Sequence, residues 1–427
     1  MLYNFKGCLY VRLFKKIKTK IPFSNKEVDI NVDGKTLILT GGNGCGKTQL
    51  IEFIFEKLVD AVINRNNKTV ENVQQELKHY NNLLLTKGPA DQYYENYRET
   101  AERLTGKLKE VENPSLFIEN LDDFVVGHQN FTAVLSKFEA MRKAEIIKPS
   151  SVTSLNKLRE QDKNLSKQHN SNKKTSSMFE EFLVSNIANQ AFSESTKINN
   201  DPEEAQRIEK WFKKLECDLR NLFEDQSLEL RFDSNSFVFK IHQVGKEPYA
   251  LQTLSSGFSS IMSIYADLIT KISLRSINPD DLRGVVIIDE IDAHLHVSLQ
   301  KKILAFLKNS FPKVQFIVTT HSPFVVTSID NAVIYDLSTC QQVEDLSMFS
   351  YEAVLEGLFG VLPISTLLQN QIEKLSELLK VSPVDVSQIE SLLSELPKDK
   401  SVLDDESLYF VQSADIAISK AKRQLDV

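Results

Sequence analysis

Apolar positions change period twice within the first 64 residues. Residues 3–14 alternate apolar and polar side chains, as do residues 28–32, which is the pattern of strands with one buried face. A turn at Asp33-Gly34 precedes a continuous apolar run from Leu37 to Leu39. From Thr48 the spacing becomes helical, with Ile51, Ile54, Phe55, Leu58 and Val62 on one side. Val70, Val73, Leu77, Tyr80 and Leu84 continue at heptad-like intervals. Lys87-Gly88-Pro89 interrupts, and Tyr94, Tyr97, Ala101, Leu104, Leu108 and Val111 resume the rhythm. An antiparallel helical hairpin over about residues 68–112 is predicted, either as a coiled-coil arm or as a helix pair packed inside the domain.

Past Pro114, residues 116–118 and 124–126 have the composition of short strands and residues 131–146 that of a helix. The Ser-, Asn- and Lys-rich stretch 148–177 is expected to be a loop. Helices follow at 178–192 and 202–223, the second with Asp201 as N-cap and Pro202 in its first turn. Alternation then returns at 228–232 and 237–241, around a turn at Asp233-Ser234-Asn235. Residues 65–224 are therefore expected to be a helical insertion between two halves (1–64 and 225–345) of one α/β head carrying an antiparallel β layer. Residues 346–427 form a helical tail, with helices at 372–379 and 386–396.

Composition narrows the class. The 427 residues carry 58 acidic and 51 basic side chains, a net charge of −7, which is not the balance of a dedicated nucleic-acid binder. Lys15, Lys16, Lys18 and Lys20 are expected at a solvated strand end. Lys163, Lys167, Lys173 and Lys174 are the best local contacts for a nucleic acid, although a solvated loop accounts for them as well. Cys8, Cys45, Cys217 and Cys340 lack CxxC spacing, which argues against a zinc site or a disulfide framework and points to the reducing cytoplasm. No apolar run approaches the roughly 18 residues of a membrane span, and the N-terminus lacks the order of a signal peptide, so no membrane partner is expected.

The chemistry concentrates in three places. Gly41, Gly42, Asn43, Gly44, Cys45, Gly46, Lys47 and Thr48, followed by Gln49, lie between an apolar strand and an amphipathic helix. Glycines in that position let backbone N–H groups close around phosphate oxygens. Lys47 would reach the β and γ phosphates of ATP, and Thr48 would bind Mg²⁺. Residues Gly284 to Glu290, GVVIIDE, have the composition of a buried parallel strand ending in two carboxylates. Asp289 would hold Mg²⁺ opposite Thr48, and Glu290 would activate the attacking water. His321 follows another β-rich run, residues 315–318, and can act there as a γ-phosphate sensor.

In this order, the phosphate loop, Leu254-Ser255-Ser256-Gly257, the strand ending in Asp289-Glu290 and Thr320-His321-Ser322 resemble ABC-type ATPases of the SMC-like branch. DEIDAHLHVSLQ from Asp289 and VTTHSPFVV from Val318 are similar to OLD-like ATPases of prokaryotic phage defence, with PARIS-type, Septu-type and retron-associated subunits nearest. The resemblance covers residues 1–64 and about 225–345. It implies an ATP-hydrolysing head that dimerises around two ATP molecules, with Ser255, Ser256 and Gly257 of one copy capping the nucleotide of the other. It also implies a phage-derived trigger and a separate effector nuclease, Toprim-like or HNH, because residues 346–427 have no room for a Toprim fold. An SMC-like DNA-binding repair or chromosome-maintenance ATPase is the alternative, and a transporter ATPase is disfavoured by the LSSGF signature.

Departures from the family are expected to matter. Ser256 replaces the usual Gly and would restrict a backbone turn, Phe258 stands where transporters carry Gln, and His296 takes roughly the place of the D-loop Asp. Gln129 is the candidate for the Gln that senses Mg²⁺ between lobes. His294 and His296 have no third ligand nearby in sequence and predict no metal site.

Overall fold

The computed structural model describes residues 13–64, 70–112, 115–167, 174–277, 281–343, 345–362, 364–381 and 384–425. The expected strand at 3–14 therefore lies almost wholly outside the described residues. Two compact units divide the chain, Met1–Phe349 and Ser350–Val427.

In the first unit β1 (Phe14–Lys20), β2 (Glu27–Asn31) and β4 (Leu116–Ile118) make a small antiparallel sheet in the order β2-β1-β4. β1 buries Phe14 and Ile17 and exposes Lys15, Lys18 and Lys20, the alternation of a half-buried strand. The main sheet has six strands, ordered β12 (Gln341–Val343), β11 (Ala332–Asp336), β3 (Thr36–Thr40), β10 (Val314–Thr319), β9 (Arg283–Ile288) and β5 (Ala133–Phe138). All but β12 run parallel, so the C-terminal ends of β3, β5, β9, β10 and β11 share one edge. Every residue of β3 and β10 is buried, as strands covered on both faces require. Leu50, Ile51, Ile54 and Leu58 of α1 (Lys47–Asn64) enter the same core as Leu37, Leu39, Val285, Ile287 and Ile317.

α2 (Val70–Lys87) and α3 (Tyr94–Glu112) pair with each other, burying Val73, Ala101 and Leu104, while most of their other described side chains face solvent. The stretch after them departs from expectation. Residues 124–126 lie in α4 (Leu121–Gln129), and in place of the expected helix at 131–146 stands β5, the edge strand of the main sheet. The insertion 65–224 is thus broken by β4 and β5, which belong to the head. Gly284 explains the pairing: its φ of 138° and its closeness to the Val134 carbonyl, 1.9 Å from where a Cβ would stand, let β5 and β9 meet only at glycine. The expected loop 148–177 contains α5 (Leu155–Lys167), whose Asp162 is bound by Arg275 at 2.7 Å.

α6 (Phe179–Glu194) and α7 (Pro202–Phe223) follow, with the Asp201 carboxylate capping Glu204 N–H at 3.0 Å. β6 (Glu229–Asp233), β7 (Val238–His242) and β8 (Tyr249–Ala250) form a third, antiparallel sheet. α8 (Ser256–Leu274) is buried along almost its whole length. Short helices α9 (Val297–Gln300), α10 (Ile303–Ser310) and α11 (Pro323–Val326) link the later strands. The second unit holds α12 (Tyr351–Gly357), α13 (Thr366–Lys380), α14 (Val386–Glu395) and α15 (Asp405–Leu425), the last three packed around Ile372, Leu375, Ile389, Leu396, Val411 and Ala414.

Candidate functional site

The loop between β3 and α1 has Gly41, Gly44 and Gly46 at φ 129°, 76° and 104°, conformations that side-chain-bearing residues rarely adopt. A Cβ at Gly41 would stand 2.9 Å from Cys45 Sγ and Ser338 Oγ, and one at Gly46 2.9 Å from Ile21, so the loop is packed from both sides. Gly42 N–H donates to Ser338 Oγ at 2.8 Å, tying the loop to the end of β11. Gly42, Asn43 and Gly44 face solvent, as do Thr48 and Gln49. Lys47 is 7% exposed, its Nζ folded onto the Gly41 and Gly42 carbonyls at 2.9 and 3.1 Å, with Cys45 Sγ at 3.8 Å. Carbonyls hold this ammonium only as neutral acceptors, so its charge remains available to an anion in the loop.

Across the loop, Thr48 Oγ1 donates to Asp289 Oδ2 at 2.9 Å and Thr319 Oγ1 donates to Asp289 Oδ1 at 2.5 Å. Asp289 is thus a buried carboxylate met by two hydroxyls, which fits a divalent cation bound by Thr48 and Asp289. The Thr319 hydroxyl also accepts the Glu290 N–H at 2.7 Å. Glu290 has φ 44°, left-handed backbone for a residue with a side chain, and is exposed on the sheet edge. Arg142 holds this turn from the other side. Its guanidinium donates to the carbonyls of Asp289 and Ile291, both at 2.8 Å, and of Glu290 at 3.3 Å. Burial pushes the Arg142 pKa down to about 10, with Asp292, Asp289 and Glu290 opposing.

His321, at the end of β10, is lowered in pKa first by burial and then by Lys47, against Asp292, Glu290 and Asp289. The loop lysine and the acidic strand end therefore both act on its ring, and the neutral imidazole is favoured. Thr320 Oγ1 donates to Asp292 Oδ1 at 2.5 Å and Ser322 Oγ to Gln300 Oε1 at 2.6 Å, fixing the segment on either side of it. Gln129 is not brought here. It ends α4 ahead of β5, at the edge of the sheet opposite the loop, whereas the residues that leave β5 on the loop side are Glu139 and Arg142. The Mg²⁺ role expected for Gln129 is withdrawn on that ground.

The α/β architecture is that of a P-loop ATPase, and residues 134–327 match a family model described as "AAA domain, putative AbiEii toxin, Type IV TA system". Over 118 residues the chain is 39% identical to the "Retron Ec83 probable ATPase" of Escherichia coli, an alignment covering 27% of this chain and 20% of that protein. The Septu protein PtuA of Bacillus mycoides (strain KBAB4) is 47% identical over 73 residues, 17% of this chain and 10% of its own length. This chain is thus similar to a retron probable ATPase and to Septu PtuA proteins. A PtuA of Bacillus thuringiensis, 40% identical over 98 residues, is aligned over 24% of its length, so the chain matches no more than about a quarter of any of these three proteins. Among solved structures, an SMC head bound to the C-terminal winged-helix domain of ScpA aligns over 76% of this chain and 94% of its own, at 15% identity and a TM-score of 0.34.

In this head the signature residues stand apart from the loop contacts just described. Ser255 is the N-cap of α8, Ser256 and Gly257 form its first turn, and both serines face solvent. Ser256 has no positive φ, so the expected restriction of a turn does not arise: it is an ordinary first-turn residue. Gly257 is needed for packing, since its Cβ would stand 3.0 Å from the His294 carbonyl. Phe258 stacks on Phe223 with ring centroids 4.0 Å apart. His296 caps α9 through Ser298 rather than facing the loop, and among the described residues no cluster of three metal-ligating side chains occurs.

Three participants went unread in the sequence. Arg142 sits in no motif. Thr319 was visible only as the residue before Thr320-His321. Phe23, in the turn between β1 and β2, is fully exposed at φ 58°, two residues from the Ile21 that packs against Gly46. Stacking on a base is one use to which such an exposed ring can be put.

Proposed function

We propose that this chain binds ATP with Mg²⁺ and hydrolyses it, and that it serves as the sensor and scaffold subunit of an anti-phage complex, holding or activating a separate effector nuclease. The observation that carries the catalytic part is the Thr48–Asp289 contact, made at the one sheet edge where Lys47, Glu290 and His321 also stand. In this reading the loop N–H groups and Lys47 bind the β and γ phosphates, while Thr48 and Asp289 hold Mg²⁺, which when bound neutralises phosphate charge. Glu290 accepts a proton from the attacking water, and neutral His321 donates a hydrogen bond towards the γ-phosphate. Ser255 and Ser256 face solvent in one copy, with Gly257 buried beneath them, which suits a second copy presenting the serines to the first copy's nucleotide. The similarity to retron and Septu ATPases supports the defence role, the effector partner and a cytoplasmic setting; among the described residues no helix is long and apolar enough to cross a membrane.

The test separates binding from turnover. Glu290→Gln should bind ATP at wild-type affinity and dimerise, with turnover lowered about 100-fold or more, whereas Lys47→Ala should weaken binding itself. Hydrolysis by Glu290→Gln at the wild-type rate would refute the assignment. Failure to copurify with any nuclease encoded next to it would remove the scaffold role. The exposed Lys15, Lys18 and Lys20 on β1 favour one other reading, a DNA-stimulated ATPase, which requires salt-sensitive DNA binding.

A further inference from the structure

On the side of β5 that does not pair with β9 lies a cavity of about 50 Å³, walled by β5, α1, α5, α8 and the turn at residues 174–175. Four cationic side chains line it: Lys137, Lys174, Lys271 and Arg275. Three hydroxyl residues, Ser136, Ser166 and Thr175, and His128 of α4 complete its polar wall, and among the described residues no carboxylate lines it.

The partners of these cations stand behind the wall. Lys271, 8% exposed, reaches Asp267 at 2.6 Å and donates to Ser136 Oγ at 3.0 Å. Arg275 reaches Asp162 at 2.7 Å and Ser166 Oγ at 2.6 Å. Lys137 bridges Glu52 and Glu139 at 2.5 and 2.9 Å. Lys174 differs from the other three. Among the described residues it meets no carboxylate, its Nζ donating to the Lys137 carbonyl at 2.8 Å above the Phe138 ring. Burial lowers its pKa first, Asp267 and Glu139 oppose this, and Lys271 and Lys137 lower it further, so the ammonium is held in place at a cost.

A half-buried cation facing two others across a partly open cavity is the inverse of what folding alone selects. An anion inside would offset the repulsion among these cations. The cavity is partly open and admits a tetrahedral oxyanion. We propose that this cavity is a binding site for a phosphate group, either free inorganic phosphate or the terminal monoester of a larger molecule. The site is separate from the phosphate loop. It touches three elements that meet there: Glu52, the partner of Lys137, lies on α1 one turn past Thr48, Lys271 lies on the helix that begins at Ser256, and Lys137 is two residues before Glu139. Occupancy would therefore stiffen the joint between the loop helix and the signature helix.

The experiment uses the full chain carrying Lys47→Ala, so that phosphate binding at the loop is weakened and the outcome does not depend on ATP hydrolysis. Inorganic phosphate and glycerol phosphate are titrated separately at constant ionic strength set with chloride, and melting temperature and binding heat are followed. Saturable stabilisation by either supports the site, and the tighter of the two names its source. Lys174→Met in the same background should melt higher than its parent without phosphate, because a cation held beside two others has gone, yet lose at least about tenfold in phosphate affinity. A structural role for Lys174 would lower the melting temperature instead. No saturable binding of either anion, or equal affinity with and without Lys174, overturns the proposal.

Discussion

Replacing Arg142 with alanine should lower turnover while leaving ATP binding almost intact. The guanidinium makes two short charge-assisted contacts, to the Asp289 and Ile291 carbonyls at 2.8 Å, and longer ones to Glu290. Each short contact contributes roughly 1.5–3 kcal/mol, or about 3–6 kcal/mol together. Against this stands the cost of burying the group, which at a pKa pushed down to about 10 is roughly 3 kcal/mol. The net loss of stability is then only about 0–3 kcal/mol, and the head should remain folded. The loss to catalysis is larger, because the left-handed turn at Glu290 is then held by Thr319 alone of these two groups, and a displacement of about 1 Å costs on the order of 100-fold in rate. ATP affinity should change by less than about twofold, since none of the hydrogen bonds of Arg142 goes to Lys47 or the loop. Steady-state hydrolysis with equilibrium binding of a fluorescent ATP analogue separates the two effects. Arg142→Lys should recover little, because a point charge cannot span the Asp289 and Ile291 carbonyls. Wild-type turnover in Arg142→Ala, or equal losses of affinity and turnover, would refute the reasoning.

The remaining predictions concern the base, the sheet and pH. Phe23→Ala should weaken ATP binding by about 1–2 kcal/mol while leaving inorganic triphosphate unaffected, because stacking involves only the base; equal losses for both ligands would remove Phe23 from the site. Gly284→Ala would place a Cβ 1.9 Å from the Val134 carbonyl and should cost more than about 4 kcal/mol in chemical denaturation, by separating β5 from β9. His321 has a lowered pKa, so its neutral form and the contribution that depends on it are fully present above the ordinary histidine value of about 6.5 and are lost as pH falls through the lowered one. Turnover should accordingly stay level down to that value and fall below it, and Lys47→Ala should raise the pKa of the His321 ring in an NMR titration, because a nearby positive charge has gone.

Contiguity and period made part of this protein legible from its sequence. The phosphate loop is eight consecutive residues because its backbone wraps one ligand. The strand ending in Asp289-Glu290 announces itself because a strand buried on both faces tolerates only apolar side chains, and α7 begins and ends where its caps and spacing put it. The tertiary structure alone decided what depends on a partner strand. Ala133–Phe138 carries no strand signature of its own, and becomes β5 because Gly284 leaves the edge of β9 open to it. That single pairing removed Gln129 from the site by placing it at the wrong end of the sheet. It brought Arg142 under Glu290 and left Lys137, Lys174, Lys271 and Arg275 around one cavity, although they are spread over nearly 140 residues. Local chemistry is written in neighbouring residues, whereas electrostatic convergence between distant ones exists only once the sheet has closed.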